Sequence, residues 1–430
     1  MSISGSTYDL AIIGAGSAGL SAADSAAKAG LSMVLIEAAH RIGGRAYTDT
    51  ESFSFPFDLG CHWMHSASLN PYVAIAGTHG HAFVKEAYPR QIHFGERWGN
   101  RWASDAEEAE RVAFNQRCHE AIYAAAAAGR DVAFTDVAPR EDRWTALFDF
   151  WTSVGSSVDS DQVSTLDSTR YNDTNENWPL VNGYGALVAA HFAHVPVELN
   201  CRAERIDWSG SDIIITTPKG DIRAARALVT VSTGVLAAGA IDFSPRLPDW
   251  KLAAIDGLPL GSHNRVGFEF DRDVFGPDAR GGYTAYNDSP ETVAFQVLPF
   301  GRNHATGIYG GRFSAWLERA GPEAMASHAR ESLTEVYGND IEKHLIKTTT
   351  SAWDGDPFVR GAYSSALPGH AGARAKLAET LDDKLFFAGE ATSHEFYATC
   401  HGAYITGAAR AREVADSLGR GIGEVRREAL

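Results

Sequence analysis

The chain of 430 residues has only four cysteines, Cys61, Cys118, Cys201 and Cys400, each far from the others. Thiols scattered in this way form no disulfide framework and suit a reducing compartment, so a cytoplasmic protein is expected. Apolar runs are short, and none approaches the ~20 residues of a membrane span. The opening MSISGSTYDL lacks both the basic and the apolar region of a secretory leader. No membrane partner is expected. Basic runs are also lacking, with 38 Lys and Arg against 54 Asp and Glu for a net charge of −16, which argues against nucleic acid as a partner. Such acidity keeps a protein dispersed and also draws cations over long range. What remains, 44% hydrophobic and 21% charged, is the composition of an ordinary globular protein, and its length calls for two domains or one large domain with an insertion.

The stretch YDLAIIGAGSAGLSAADSAAKAG, residues 8–30, combines a buried parallel strand (8–13), three glycines at the spacing G-x-G-x-x-G and a helix of small residues (20–29). SMVLIE, residues 32–37, reads as a second strand, which completes a βαβ unit. Gly14 permits the tight turn, Gly16 lets the backbone approach a pyrophosphate beside Ser17, and Gly19 lets helix and strand touch. Glu37, with Ala38 next to it, follows Gly19 by 18 residues and ends the second strand, where a carboxylate accepts hydrogen bonds from a ribose. Strand, helix, strand and acid together point to a dinucleotide.

After Glu37 come Arg41, Gly43, Gly44 and Arg45, a pattern that resembles the E-x(3,4)-R-x-G-G-R extension of the flavin-containing amine oxidases. Near the other end, KLFFAGEAT, with Gly389 and Glu390, and the H-G-A-x-x-T-G spacing in ATCHGAYITGAA resemble the C-terminal FAD segment of the same family. The resemblance implies that the arginines lie along the pyrophosphate and flavin and that Glu390 lies near the pyrophosphate and ribityl chain. A helix beginning near Thr399 and carrying Ala403 would aim its free N–H groups at the flavin pyrimidine. Further segments resemble the family: DLGCHWMHS (Gly60, His62, Trp63, His65), VNGYGALVAAH, LNCRAERIDW (Ala203 beside adenine), ALVTVSTGVL (Ser232) and SAWDGDPFVRGAYSSALPG (Trp353, Tyr363). The implied fold class is α/β: a Rossmann-like FAD-binding domain of the glutathione-reductase type from residues 1–80, 195–250 and 370–430. A substrate-binding domain of mixed sheet and helices, α+β in character, would be formed by 81–194 and 251–369. Residues 81–175 read as helical cover over the site.

The implied activity is FAD-dependent oxidation of a small or medium amine, with a polyamine among the candidates and O2 as acceptor. Tyr363 matches one wall of the family's aromatic cage. Ala362 stands where covalent relatives carry a flavin-linking cysteine, so non-covalent FAD is expected. Thr399 replaces the tyrosine of the opposite wall, leaving Phe396 or Tyr397 to close it. Arg265 stands where most relatives have a lysine that holds a water, and either keeps that place or binds a substrate carboxylate. His65 stands where some polyamine oxidases have an acid. Cys61, His62 and His65 lack a second ligand pair at a recognised spacing, so no metal is expected. A homodimer is possible. Two other readings stay open: a flavoenzyme of this fold with different chemistry (amino-acid oxidase, desaturase or oxidative cyclase), and a flavin-binding scaffold without turnover.

Overall fold

The computed structural model describes residues 7–85, 94–98, 101–140, 143–276 and 281–420. The opening stretch folds as β1 (Thr7–Ile13), α1 (Ser17–Lys28) and β2 (Met33–Ile36), with β1 and β2 parallel. Helix α1 starts three residues earlier than the pattern suggests, because the extended Gly16 is itself the residue before the first turn. Strand β2 is shorter than 32–37 at both ends. The Ser32 hydroxyl donates to Asp9, and the Glu37 carboxylate is taken up by backbone N–H groups.

β1 lies between β2 and the long strand Gly220–Val229, which also pairs in parallel with Leu385–Phe387. Ile213–Thr217, Arg205–Asp207 and Asp242–Ser244 continue this first sheet to its far edge. Segments from the start, middle and end of the chain are thus joined in one sheet. Apolar clusters cover both of its faces, one around Ile206, Ile215 and Leu385, the other around Leu10, Leu20 and Val414. The C-terminal helix Cys400–Ser417 packs on α1, and a side chain on Gly407 would meet the Ala18 carbonyl at 2.0 Å.

The second sheet runs in the order Leu345–Thr350, His263–Phe270, His304–Gly310, Ala294–Val297, Gly282–Ala285, Phe94–Trp98, Arg101–Trp102. One face packs Val266, Phe268 and Phe295 against helices Gly311–Ala320 and Pro322–Tyr337. The other lies under helices Asp105–Ala127 and Thr145–Ser156, where Phe114, Phe148 and Ala294 are buried together. The stretch 81–175 is therefore not only cover. Its strand Phe94–Trp98 pairs in parallel with Gly282–Ala285 and extends an edge that would otherwise leave backbone groups unpaired. Among the described residues no helix is long and apolar enough to cross a membrane.

Candidate active site

Where β1 ends, Gly14 adopts φ +102, and a Cβ there would meet Thr230 Oγ1 at 2.9 Å. A Cβ on Gly19 would lie 1.8 Å from the Gly14 carbonyl oxygen, so α1 docks on the turn only without that carbon. Gly16 differs, because a Cβ there would meet nothing within 4 Å. The space beyond it belongs to a continuous cavity of ≈ 1520 Å³, larger than the range of about 300–1,000 Å³ for one small ligand. Both Glu37 oxygens accept backbone N–H groups, from Ala15 at 2.7 Å and Ala39 at 2.8 Å, which fixes the carboxylate at the end of β2 facing the cavity. Ser17, Ala38, Arg41, Gly43 and Gly44 line the same arm. The Arg41 guanidinium donates to the Gly44 carbonyl at 2.8 Å and lies 4.0 Å over the Tyr47 ring. At the sheet end of this arm Ala203 precedes its strand rather than lying in it. Ser232 caps the short helix Thr233–Ala237 by accepting the Val235 N–H. An open glycine turn, a free helix start, a fixed carboxylate and two arginines fit a dinucleotide.

The two ends of the chain meet at Glu390. Its carboxylate accepts Arg45 Nη1 at 3.0 Å, the Ser364 hydroxyl at 2.6 Å and the N–H groups of Ser364 and Ala398. Burial pushes this carboxyl up, but Arg45, Ser364 and Arg374 more than offset it and hold the group below the usual carboxylate range. Ser364 in turn accepts Arg374 Nη1 at 2.9 Å, and Arg374 forks onto Asp167 at 2.8–3.0 Å. Both members of that pair are buried. Sequence reading missed Asp167, Ser364 and Arg374, which no motif or spacing in the sequence marks.

Beyond Gly60 and Cys61 the cavity bends over the second sheet. Trp353 borders the bend and donates its ring N–H to the Leu59 carbonyl at 3.0 Å. Arg265 reaches the cavity from strand His263–Phe270, with Trp63, His62, His65, His263 and Tyr363 around it. Burial, aided by the Arg265 charge, pushes all three histidines down, His263 to about 3, so they are neutral at pH 7. His62 is held by Asp58 at 3.0 Å and His65 by Asn177 at 2.6 Å. The Tyr363 hydroxyl donates to the Val154 carbonyl and lies 3.1 Å from His263 Nδ1, which leaves its ring to the cavity. Burial pushes this phenol up.

Phe396, Thr399 and Tyr397 take three different places. Phe396 does not line the cavity, because its ring packs on His401 at 4.9 Å between centroids. Thr399 lines it but spends its hydroxyl locally, donating to the Phe396 carbonyl and accepting the Gly402 N–H as the cap of the C-terminal helix. Tyr397 lies at the wall with its ring 3.8 Å under the Arg374 guanidinium. Aromatic walls that the sequence did not single out come from Trp151, Phe148 and Tyr171, in the cover.

A family model described as flavin containing amine oxidoreductase matches residues 17–415. Curated relatives include polyamine oxidase 4 of Oryza sativa subsp. japonica, 27% identical over 94% of this chain and 87% of that protein. Polyamine oxidase 2 of Arabidopsis thaliana is 26% identical over 92% and 86%. Lysine-specific histone demethylase 2 of Homo sapiens is 25% identical over 94% of this chain and 53% of that protein. A solved putrescine oxidase, redesigned in its cofactor binding, superposes with a TM-score of 0.78 at 17% identity, covering 96% of this chain and 99% of the other, which is a likeness of fold.

Proposed function

The chain belongs to the flavin-containing amine oxidoreductases, FAD-dependent enzymes acting on amines, and we propose that it oxidises the carbon beside a neutral amine nitrogen in the arm lined by Tyr363 and Arg265. The FAD is proposed to be non-covalent, because alanine occupies position 362. Gly14, Gly16, Ser17 and Glu37 would hold the adenosine and pyrophosphate, while Arg41, Arg45, Glu390 and the start of helix Cys400–Ser417 would hold the rest. When bound, FAD supplies a two-electron acceptor, which O2 then restores with release of hydrogen peroxide.

The residues of the arm prepare the amine. The observation that carries this reading is the Arg265 cation among three histidines that burial keeps neutral beside an aromatic wall. An ammonium entering this surrounding meets a like charge and loses water, and both effects favour release of its proton. Only the neutral amine has the lone pair that the oxidation needs. The Tyr363 ring, fixed by its hydroxyl at the Val154 carbonyl, restricts where the substrate carbon can lie and excludes water from it.

A second reading follows from the same arginine: a substrate carboxylate facing Arg265, as in an amino acid. Anaerobic spectra of the flavin-loaded protein with monoamines, polyamines and amino acids separate the two. Bleaching by amines supports amine oxidation, bleaching by amino acids alone moves the assignment to the second reading, and bleaching by neither rejects both. For Tyr363 the expected result is that Tyr363→Phe reduces the flavin at nearly the native rate while Tyr363→Ala slows reduction about tenfold or more with flavin retained. Equal rates for the two variants would remove the ring from the site.

A further inference from the structure

Cys61 and Cys400 come from opposite ends of the chain and meet on one wall of the cavity. Cys61 follows Gly60 in the loop at the bend, where its backbone N–H donates to the Arg45 carbonyl at 3.1 Å. Cys400 is the first residue of helix Cys400–Ser417, and its carbonyl accepts the Ser17 hydroxyl at 2.9 Å. Both backbones are held in place, and the two thiols are in hydrogen-bonding contact. Cys118 and Cys201 are fully buried, each in an apolar cluster of its own.

The surroundings give the two sulfurs different characters. Around Cys400 gather the Cys61 thiol and the hydroxyls of Ser17, Tyr72 and Tyr184. The Tyr184 hydroxyl is buried and completes no hydrogen bond of regular geometry, which leaves it to interact with a charge on Cys400. Burial pushes the Cys400 thiol up, but Cys61 and the three hydroxyls more than offset it and hold the group below the ordinary thiol range. Its place in the first turn of a long helix acts in the same direction. Cys61 is the opposite case, since its contact with Cys400 and its burial push its own thiol well up. One sulfur is thereby suited to attack from the cavity wall, and the other waits beside it as a thiol.

We propose that Cys61 and Cys400 form a modification site, at which hydrogen peroxide joins them in a disulfide across the cavity wall. The inference goes beyond the amine-oxidation reading, from which it takes only a source of peroxide within the same cavity. The Cys400 thiolate attacks one peroxide oxygen, the O–O bond breaks, and the hydroxide that leaves takes up a proton to become water. The sulfur, oxidised by two electrons as the peroxide is reduced, is then a sulfenic acid. The Cys61 sulfur attacks it, the S–O bond breaks, and the oxygen departs as a second water with the Cys61 proton. Two thiols and one peroxide thus give one disulfide and two waters. The bond ties the loop at the cavity bend to the start of the C-terminal helix, and a small thiol reverses it by exchange.

In the test, the flavin-loaded protein is treated with hydrogen peroxide, denatured, alkylated with iodoacetamide and digested for mass spectrometry. The expected product is the Cys61 peptide joined to the Cys400 peptide, with Cys118 and Cys201 still alkylated. Dithiothreitol given before alkylation is expected to return both lost thiols. Two variants assign the roles. Cys61→Ser is expected to stop at the sulfenic acid, read as a dimedone adduct on Cys400, whereas in Cys400→Ser no adduct forms on Cys61. The proposal is overturned if Cys61 and Cys400 stay alkylatable after peroxide, if Cys118 or Cys201 is oxidised as readily, or if the adduct appears on Cys61 instead. Because the peroxide is added, failure of the amine-oxidation reading leaves this result untouched, and bleaching of the flavin by amines tests that reading separately.

Discussion

Arg265 lies among three buried histidines in the arm proposed for the reaction. Its charge adds to burial in keeping His62, His65 and His263 uncharged, and in the proposed reaction it would act on a bound amine in the same direction. For an amine reacting beside Arg265, as proposed, the bound pKa is expected to be lowered, and turnover to persist to lower pH than the amine's solution value would allow. Removing the cation reverses this. In Arg265→Gln the acid limb of the kcat profile is expected to move up by on the order of one pH unit, because kcat reports groups in the bound complex. An unmoved limb would show that Arg265 does not act on the reacting nitrogen. At this scale the sequence showed which residues to inspect, since Arg265, His65 and Tyr363 occupy positions with family counterparts. It did not show that Thr399 spends its hydroxyl on a helix cap or that the Phe396 ring turns to His401. Those outcomes depend on rotamers chosen by neighbours distant in the chain.

Among the elements, the glycine turn between β1 and α1 separates two functions within six residues. Gly19 is needed by the protein itself, since its missing Cβ is what allows α1 to rest on the Gly14 carbonyl. Gly16 has ordinary φ of −75° and nothing within 4 Å of where a Cβ would lie, so no neighbouring atom requires its missing Cβ. Gly19→Ala is accordingly expected to lower the unfolding free energy of the flavin-free protein by about 3 kcal/mol. Gly16→Ala is expected to leave that stability within about 0.5 kcal/mol while weakening flavin binding. Denaturant melts of the flavin-free variants and flavin titrations distinguish the two positions, and equal losses of stability would contradict the assignment. The element was legible because strand, turn and helix are specified by contiguous residues. The strand Phe94–Trp98 was not, because its partner Gly282–Ala285 lies almost 190 residues away and nothing in FGERW alone demands an edge to join.

Across the whole molecule, the chain of contacts from Asp167 through Arg374, Ser364 and Glu390 to Arg45 ties the cover of the cavity to the cleft proposed for the flavin. Its weakest point is the pair that is fully removed from water. Asp167→Ala leaves the Arg374 guanidinium buried without its anion and is expected to cost about 3–5 kcal/mol, read from thermal or denaturant unfolding. A loss below 1 kcal/mol would mean that water or a shifted side chain replaces the carboxylate. By itself the sequence determined the dinucleotide turn, the α/β class and the family, because each rests on local spacing of residues whose roles are set by short-range sterics and hydrogen bonding. The tertiary structure alone decided what shares the cavity. The meeting of Cys61 with Cys400, the neutral histidines around Arg265, and the buried ion pair joining cover to cleft arise from packing and burial. Both are properties of segments brought together from across the chain, and no single stretch encodes them.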